Sequence, residues 1–222
     1  MLKILVADDH PIIREGLKKI LTKVSDMLVI GEASEGQEIL EKAARLAPDV
    51  VLLDLSLPGR SGLEILKQLK TKNPKLPVLI LSQYPEDQYA LRALRAGASG
   101  YLTKESASTD LIAAIRKAAQ GGKYVSAVLA EKLASGVVEG LEKPRHENLS
   151  DREYEILRRL GIGQTVSEIG EELCLSVKTI STYRTRVLEK MNLDKNADLI
   201  RYVIQHELDG LPVKRLARRK PA

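Results

Sequence analysis

Chemistry is concentrated at the ends of short apolar runs. Asp8 and Asp9 close the run L-K-I-L-V-A, Asp54 closes V-V-L-L, Ser82 closes V-L-I-L, and Tyr101 and Lys104 stand in G-Y-L-T-K. Three carboxylates brought to one edge repel one another unless a hard cation sits among them, and oxygen ligands suit Mg2+. A lysine opposite balances the charge further. A carboxylate held in that way can act as a nucleophile toward a phosphoryl donor, with cation and ammonium neutralising charge on the transferring oxygens. A serine hydroxyl nearby can then hydrogen-bond to the new phosphate and report it. Each residue alone has a plainer use. An aspartate after a strand is usually a turn or cap residue, Asp8-Asp9 before His10-Pro11 could cap a helix with proline in its first turn, and Lys104 could be one more surface lysine. The set, each member at a strand end in chain order, points to chemistry. No G-x-G-x-x-G follows the first run and no G-x-x-x-x-G-K-[ST] occurs, which counts against dinucleotide and nucleoside-triphosphate binding.

A second concentration lies in S-V-K-T-I-S-T-Y-R-T-R-V-L-E-K-M-N-L. On a helical wheel Ile180, Tyr183, Val187 and Met191 share the core face, and Lys178, Ser181, Thr182 and Thr185 share the opposite one. Small hydroxyls with a single lysine let a helix approach base edges in the major groove. Arg184, Arg186 and Lys190 flank that face and suit phosphate contacts. The same spacing also suits a solvated bundle helix.

The elements that must position these residues alternate. Apolar runs at Leu2–Ala7, Met27–Ala33, Val50–Leu53, Pro77–Ser82 and Ser99–Lys104 are separated by segments of helical spacing. In the last of these Leu111, Ile112, Ile115 and Ala119 form one apolar stripe, with Arg116 and Lys117 outward. Ser61-x-x-Glu64 reads as a capping box and Ser34-x-x-Gln37 as a weaker one. Strand–helix alternation repeated five times predicts an α/β fold, a doubly wound five-stranded parallel sheet covering residues 1–120. Ligands of such sheets bind beyond the carboxyl ends of the strands. Residues 121–148 read as a linker with a short helix through Val125, Leu129 and Leu133. From Leu149 the pattern is all helical, with capping boxes at Ser150-x-x-Glu153 and Thr165-x-x-Glu168 and an N-cap at Ser176. The short helix Thr165–Leu173, a tight L-C-L-S turn and the next helix read as a helix-turn-helix in a small all-α domain over 149–210. A further helix covers Ala197–Glu207, and residues 211–222 form a basic tail.

Bulk properties set the bounds. The chain has 222 residues, 44% hydrophobic and 29% charged, with formal net charge +5, so two modest domains are expected. The single cysteine, Cys174, forbids an intramolecular disulfide, fits a reducing cytoplasm and reads as a buried turn residue. No run approaches the ~18–20 apolar residues of a membrane span. His10, His146 and His206 are scattered and suggest no zinc cluster. The second domain is only weakly basic; its cations cluster on the threonine-rich helix and in Lys214–Lys220.

These motifs resemble known families. D-D-H, L-L-D-L-S-L-P-G, L-I-L-S and G-Y-L-T-K together are similar to the receiver domain of two-component response regulators, a flavodoxin-like fold. The resemblance implies that Asp54 accepts phosphate from a sensor histidine kinase. It implies that Asp9, Asp54 and the backbone carbonyl of Ser56 bind Mg2+ with Asp8 acting through water, that Ser82 and Tyr101 are a switch pair, and that Lys104 contacts the phosphate. L-S-D-R-E-Y-E-I-L, E-I-G-E-E-L-C-L-S-V-K-T-I and V-L-E-K-M-N-L resemble the LuxR-type (NarL/FixJ) DNA-binding domain. That implies base contacts from Ser181, Thr182 and Thr185 and backbone contacts from Lys178, Thr179, Arg184 and Arg186 on double-stranded DNA. It also implies a homodimer paired through Ala197–Glu207. The sequence departs from these patterns at Glu105, Ser167, Gly170 and Tyr183. The expectation is a cytoplasmic transcriptional regulator and not an enzyme. An aspartate-nucleophile phosphatase would carry D-x-D after its first strand, which is absent here. A receiver that no longer signals, fused to a constitutive DNA binder, is the other alternative.

Overall fold

The computed structural model describes residues 1–106, 108–127, 129–131, 144–206 and 208. The expected basic tail, Glu207 at the end of the last expected helix, and part of the linker, Leu133 included, lie outside the described residues.

Five strands, β1 (Leu2–Ala7), β2 (Met27–Ala33), β3 (Val50–Leu53), β4 (Val78–Ser82) and β5 (Gly100–Thr103), alternate with five helices. These are α1 (Pro11–Thr22), α2 (Gly36–Leu46), α3 (Gly62–Lys72), α4 (Glu86–Arg95) and α5 (Ser108–Ala119). The strands pair in parallel in the order β2-β1-β3-β4-β5. Continuous aliphatic runs, rather than alternating ones, arise because the central strands are covered on both faces. On one face Ile4, Val6, Leu52, Leu79 and Leu102 pack against α1 and α5. On the other, Leu5, Val51, Leu53, Ile80 and Tyr101 pack against α2, α3 and α4. The strand order reverses between β1 and β3, and a crevice opens there at the carboxyl end of the sheet.

Some local readings are corrected. Ser61 does cap α3, but its side chain makes no capping bond. Before α2 the N-cap is Glu35, and the Ser34 amide donates to Glu38 Oε2 while Gln37 turns to Glu41. The buried stripe of α5 is Leu111, Ala114, Ile115 and Ala118; Ile112 and Ala119 lie at its margin.

A short 3-10 helix (Arg145–Asn148) leads into α6 (Asp151–Gly161), α7 (Val166–Glu172), α8 (Val177–Met191) and α9 (Asn196–Gln205). Both expected capping boxes are formed, and Ser176 accepts from the Thr179 amide. Cys174 is exposed, not buried, and takes a left-handed conformation (φ 53°) in the α7–α8 turn. Gly170 has a physical reason in the same turn: a β-carbon there would lie 2.8 Å from the Leu175 carbonyl.

The two domains pack together. The core on the α2–α4 side of the sheet continues through Tyr89 into Tyr154, Ile156 and Leu157 of α6. Arg92 and Lys67 reach Asp151, and Arg95 pairs with Glu147.

Candidate acidic pocket and nucleic-acid interface

Each pocket residue is placed by a ladder hydrogen bond at a strand end. Ala7 lies opposite Leu53, so Asp8 and Asp54 leave the sheet side by side. The Asp8 amide donates to Ala33 O (3.1 Å), Asp54 to Ala7 O (2.8 Å) and Lys104 to Ser82 O (2.8 Å). Gly62 completes the frame, because a β-carbon there would stand 2.3 Å from the Asp54 carbonyl. Only glycine lets the start of α3 close behind the aspartate.

Lys104 Nζ bridges two buried carboxylates, 2.8 Å from Asp54 Oδ2 and 2.7 Å from Asp8 Oδ2. Burial raises the Asp54 carboxyl above its ordinary range, aided by Asp8, while Lys104 opposes the rise. Burial alone would lower Lys104, but Asp54 and Asp8 outweigh it and the net shift is upward. Asp54 Oδ1 is buried without a hydrogen-bond partner among the described residues. Donor atoms of Asp8, Asp9, His10 and Asp54 lie within 4.8 Å of one another, a spacing one divalent ion could bridge. Ser82 Oγ accepts from the Tyr84 amide (3.2 Å), and the buried Tyr101 donates to the Tyr84 carbonyl (2.8 Å). Thus Asp8, Asp9, Asp54 and Lys104 come together, Ser82 and Tyr101 lie on the neighbouring strands attached to Tyr84, and Ser56 stands two residues beyond Asp54. Two residues near the pocket escaped the sequence reading. Arg14 Nη1 donates to the Asp8 carbonyl (2.7 Å), and His10 Nδ1 meets Asp9 Oδ1 at 2.7 Å. The D-D-H adjacency was the available signal for His10; nothing local marks Arg14.

On α8, Ile180, Val187 and Met191 are buried and Tyr183 is partly so. Lys178, Thr182, Thr185 and Arg186 are exposed; Thr179, Ser181 and Arg184 are half-buried. Thr182 and Thr185 donate back to the carbonyls of Lys178 and Ser181, which leaves their oxygens free to accept from a ligand. Thr179 pairs with Ser176 (2.8 Å), and Arg184 Nε donates to Asn196 Oδ1 (2.7 Å). Lys190 pairs with Glu153 (2.7 Å) and is drawn toward α6. Among the described residues, side chains of the receiver contact α6, the 3-10 helix and Leu149.

Residues 4–116 match the response regulator receiver domain, and residues 147–203 match the luxR family of bacterial regulatory proteins. The chain belongs to the two-component response regulators. The regulator is 36% identical over 207 residues to response regulator GacA of Pseudomonas syringae pv. syringae, covering 93% of this chain and 97% of that one. It is 34% identical over 210 residues to response regulator UvrY of Escherichia coli K12, covering 94% and 96%. Among solved structures it is similar to RcsB from Salmonella enterica serovar Typhimurium bound to promoter rprA with the phosphomimetic BeF3−. That likeness has TM-score 0.64 and 28% identity over 91% of this chain and 98% of the other. A receiver joined to a LuxR-type helix-turn-helix makes the regulator a NarL/FixJ-type, phosphorylation-controlled transcriptional regulator.

Proposed function

We propose that Asp54 is the phospho-acceptor and that its phosphorylation by a sensor histidine kinase controls how α8 engages double-stranded DNA. The observation that carries this reading is the buried Asp54 carboxylate, 2.8 Å from Lys104 Nζ through one oxygen and without a hydrogen bond on the other. The carboxylate attacks phosphorus, the bond from phosphorus to the donor imidazole nitrogen breaks, and that nitrogen is left to take a proton. Lys104 then follows the developing charge onto the phosphoryl oxygens. Asp9, Asp54 and the Ser56 carbonyl would hold Mg2+, with Asp8 acting through water. When bound, the cation neutralises charge on the phosphoryl group. The unpartnered Asp54 oxygen and the excess of carboxylates over ammonium fit such an ion.

Ser82 and Tyr101 form the switch pair in this reading, supported by their shared attachment to Tyr84. On DNA, Ser181, Thr182 and Thr185 read bases, while Lys178, Thr179, Arg184 and Arg186 serve the backbone. Two copies pair through α9, whose Ile204 is 55% exposed. RcsB is the comparison here, since its solved structures include dimers on DNA. No helix among the described residues is long and apolar enough to cross a membrane, and the regulator acts in the cytoplasm on this reading. Asp54→Asn is expected to abolish labelling by acetyl phosphate in Mg2+; equal labelling of the variant would remove Asp54 from the role.

A further inference from the structure

On the outward face of α8 the threonine hydroxyl protons are already committed. Thr182 Oγ1 donates to the Lys178 carbonyl (2.9 Å) and Thr185 Oγ1 to the Ser181 carbonyl (3.1 Å). With its proton so placed, neither hydroxyl donates to a base. Each of these exposed side chains is left with an oxygen that accepts and a methyl group on the same Cβ.

A second observation adds an aliphatic group beside them. Val177, the first residue of α8, is 47% exposed. A lone exposed valine needs no explanation, but Val177, Ser181 and Thr185 follow at i, i+4 and i+8 and form one ridge, with Thr182 alongside. From Val177 to Thr185 the ridge runs ~12 Å along the helix axis, which spans about three base-pair steps of ~3.4 Å. The N-terminal residues of a recognition helix are those that contact base edges.

Base pairs differ in what they set against such a ridge. In the major groove an A·T pair presents the adenine N6 donor and the thymine 5-methyl group, whereas a G·C pair presents the cytosine N4 donor and no methyl. The oxygens of Thr182 and Thr185 find a donor on either pair. Their methyl groups find an apolar counterpart only on thymine. We propose that α8 selects A·T pairs through thymine, with Val177 and the methyl groups of Thr182 and Thr185 packed on thymine 5-methyl groups. This rests on the reading of α8 as the element in the major groove, and it makes Val177 a specificity residue.

The test uses the full chain with BeF3− and a duplex selected by the parent from a random pool. Each thymine of that duplex is replaced in turn by deoxyuridine, which removes the methyl and nothing else. At several positions the parent is expected to bind about fourfold more weakly, the effect of one buried methyl. Val177→Ala should abolish that penalty at one position, and Thr182→Ser and Thr185→Ser should do so at others. Thr182→Val and Thr185→Val, which keep the methyl, should preserve it. A parent that binds every uracil duplex as tightly as the thymine one, or penalties that survive all three methyl-removing substitutions, overturn the proposal. Lys178→Ala and Arg186→Ala separate it from the reading beneath it. If neither weakens binding to the selected duplex, α8 does not lie in the groove and both readings fall. If they weaken it while uracil does not, the thymine assignment alone falls.

Discussion

Between the 3-10 helix and α9, the ring of His146 meets Tyr202 Oη at 3.0 Å and stands 5.7 Å from the His206 ring. Burial lowers the His146 imidazole to about 4, with His206 and Arg92 adding to the fall and Glu147 opposing it. The folded chain therefore prefers the neutral ring. This contribution to stability is complete above the unfolded value of ~6.5 and is lost as pH falls through 6.5 toward about 4. A proton-detected titration of His146 in the intact regulator should show a midpoint well below 6.5; a midpoint at 6.5 would contradict the burial argument. At the pocket, residue chemistry was readable and residue context was not. Asp8, Asp9, Asp54 and Lys104 announce themselves by type and position at strand ends. Gly62 and Arg14 do not, because their roles are to approach a carbonyl that only the folded sheet presents.

At the scale of the element, α8 carries the proposed recognition face on one side and the core on the other. The periodicity of Ile180, Val187 and Met191 sets that division, since their burial leaves Lys178, Thr182 and Thr185 facing outward. Thr182→Ala should cost about 1–3 kcal/mol on the preferred operator with little change on unrelated duplexes. Arg186→Ala should weaken binding to all duplexes and lower the salt slope by about one. Binding isotherms at fixed and at varied salt distinguish the two, and identical behaviour of both variants would mean that α8 does not lie in the groove as assigned. Capping was legible where N-cap and N3 residues met as expected, at Ser150 and Thr165. It failed at Ser34, where the N-cap is Glu35 one residue later, and at Ser61, which caps α3 without a side-chain bond.

In the whole molecule, the loops after β3 and β4 touch the DNA-binding domain. After β3, the Gly59 carbonyl accepts from Arg152 Nη2 (2.5 Å). After β4, Tyr84 stacks on Tyr89 (4.9 Å), Tyr89 meets Tyr154 edge-on (5.4 Å), and Arg158 lies over both Tyr84 and Tyr89 at 4.8 and 5.1 Å. A change at Ser82 and Tyr101 thus has a packed route to α6 through Tyr84. Among the described residues, the receiver contacts α6, and Lys178, Thr182 and Thr185 on the outward face of α8 are exposed. Arg158→Ala should leave phosphorylation of Asp54 intact and abolish the response of DNA affinity to BeF3−. A response equal to that of the parent, with unchanged circular dichroism, would place the coupling elsewhere.

By itself the sequence determined the strand–helix alternation, the split into two domains, the set of acids with its lysine, and the outward face of α8. Each depends on local spacing along the chain, which periodicity and capping read directly. Tertiary structure alone decided that Arg14 reaches the Asp8 carbonyl, that Gly62 shuts the pocket from behind, and that Tyr84, Tyr89 and Arg158 bind the two domains together. Those contacts unite residues far apart in sequence, or depend on close approaches of backbone, and no local pattern encodes such distances.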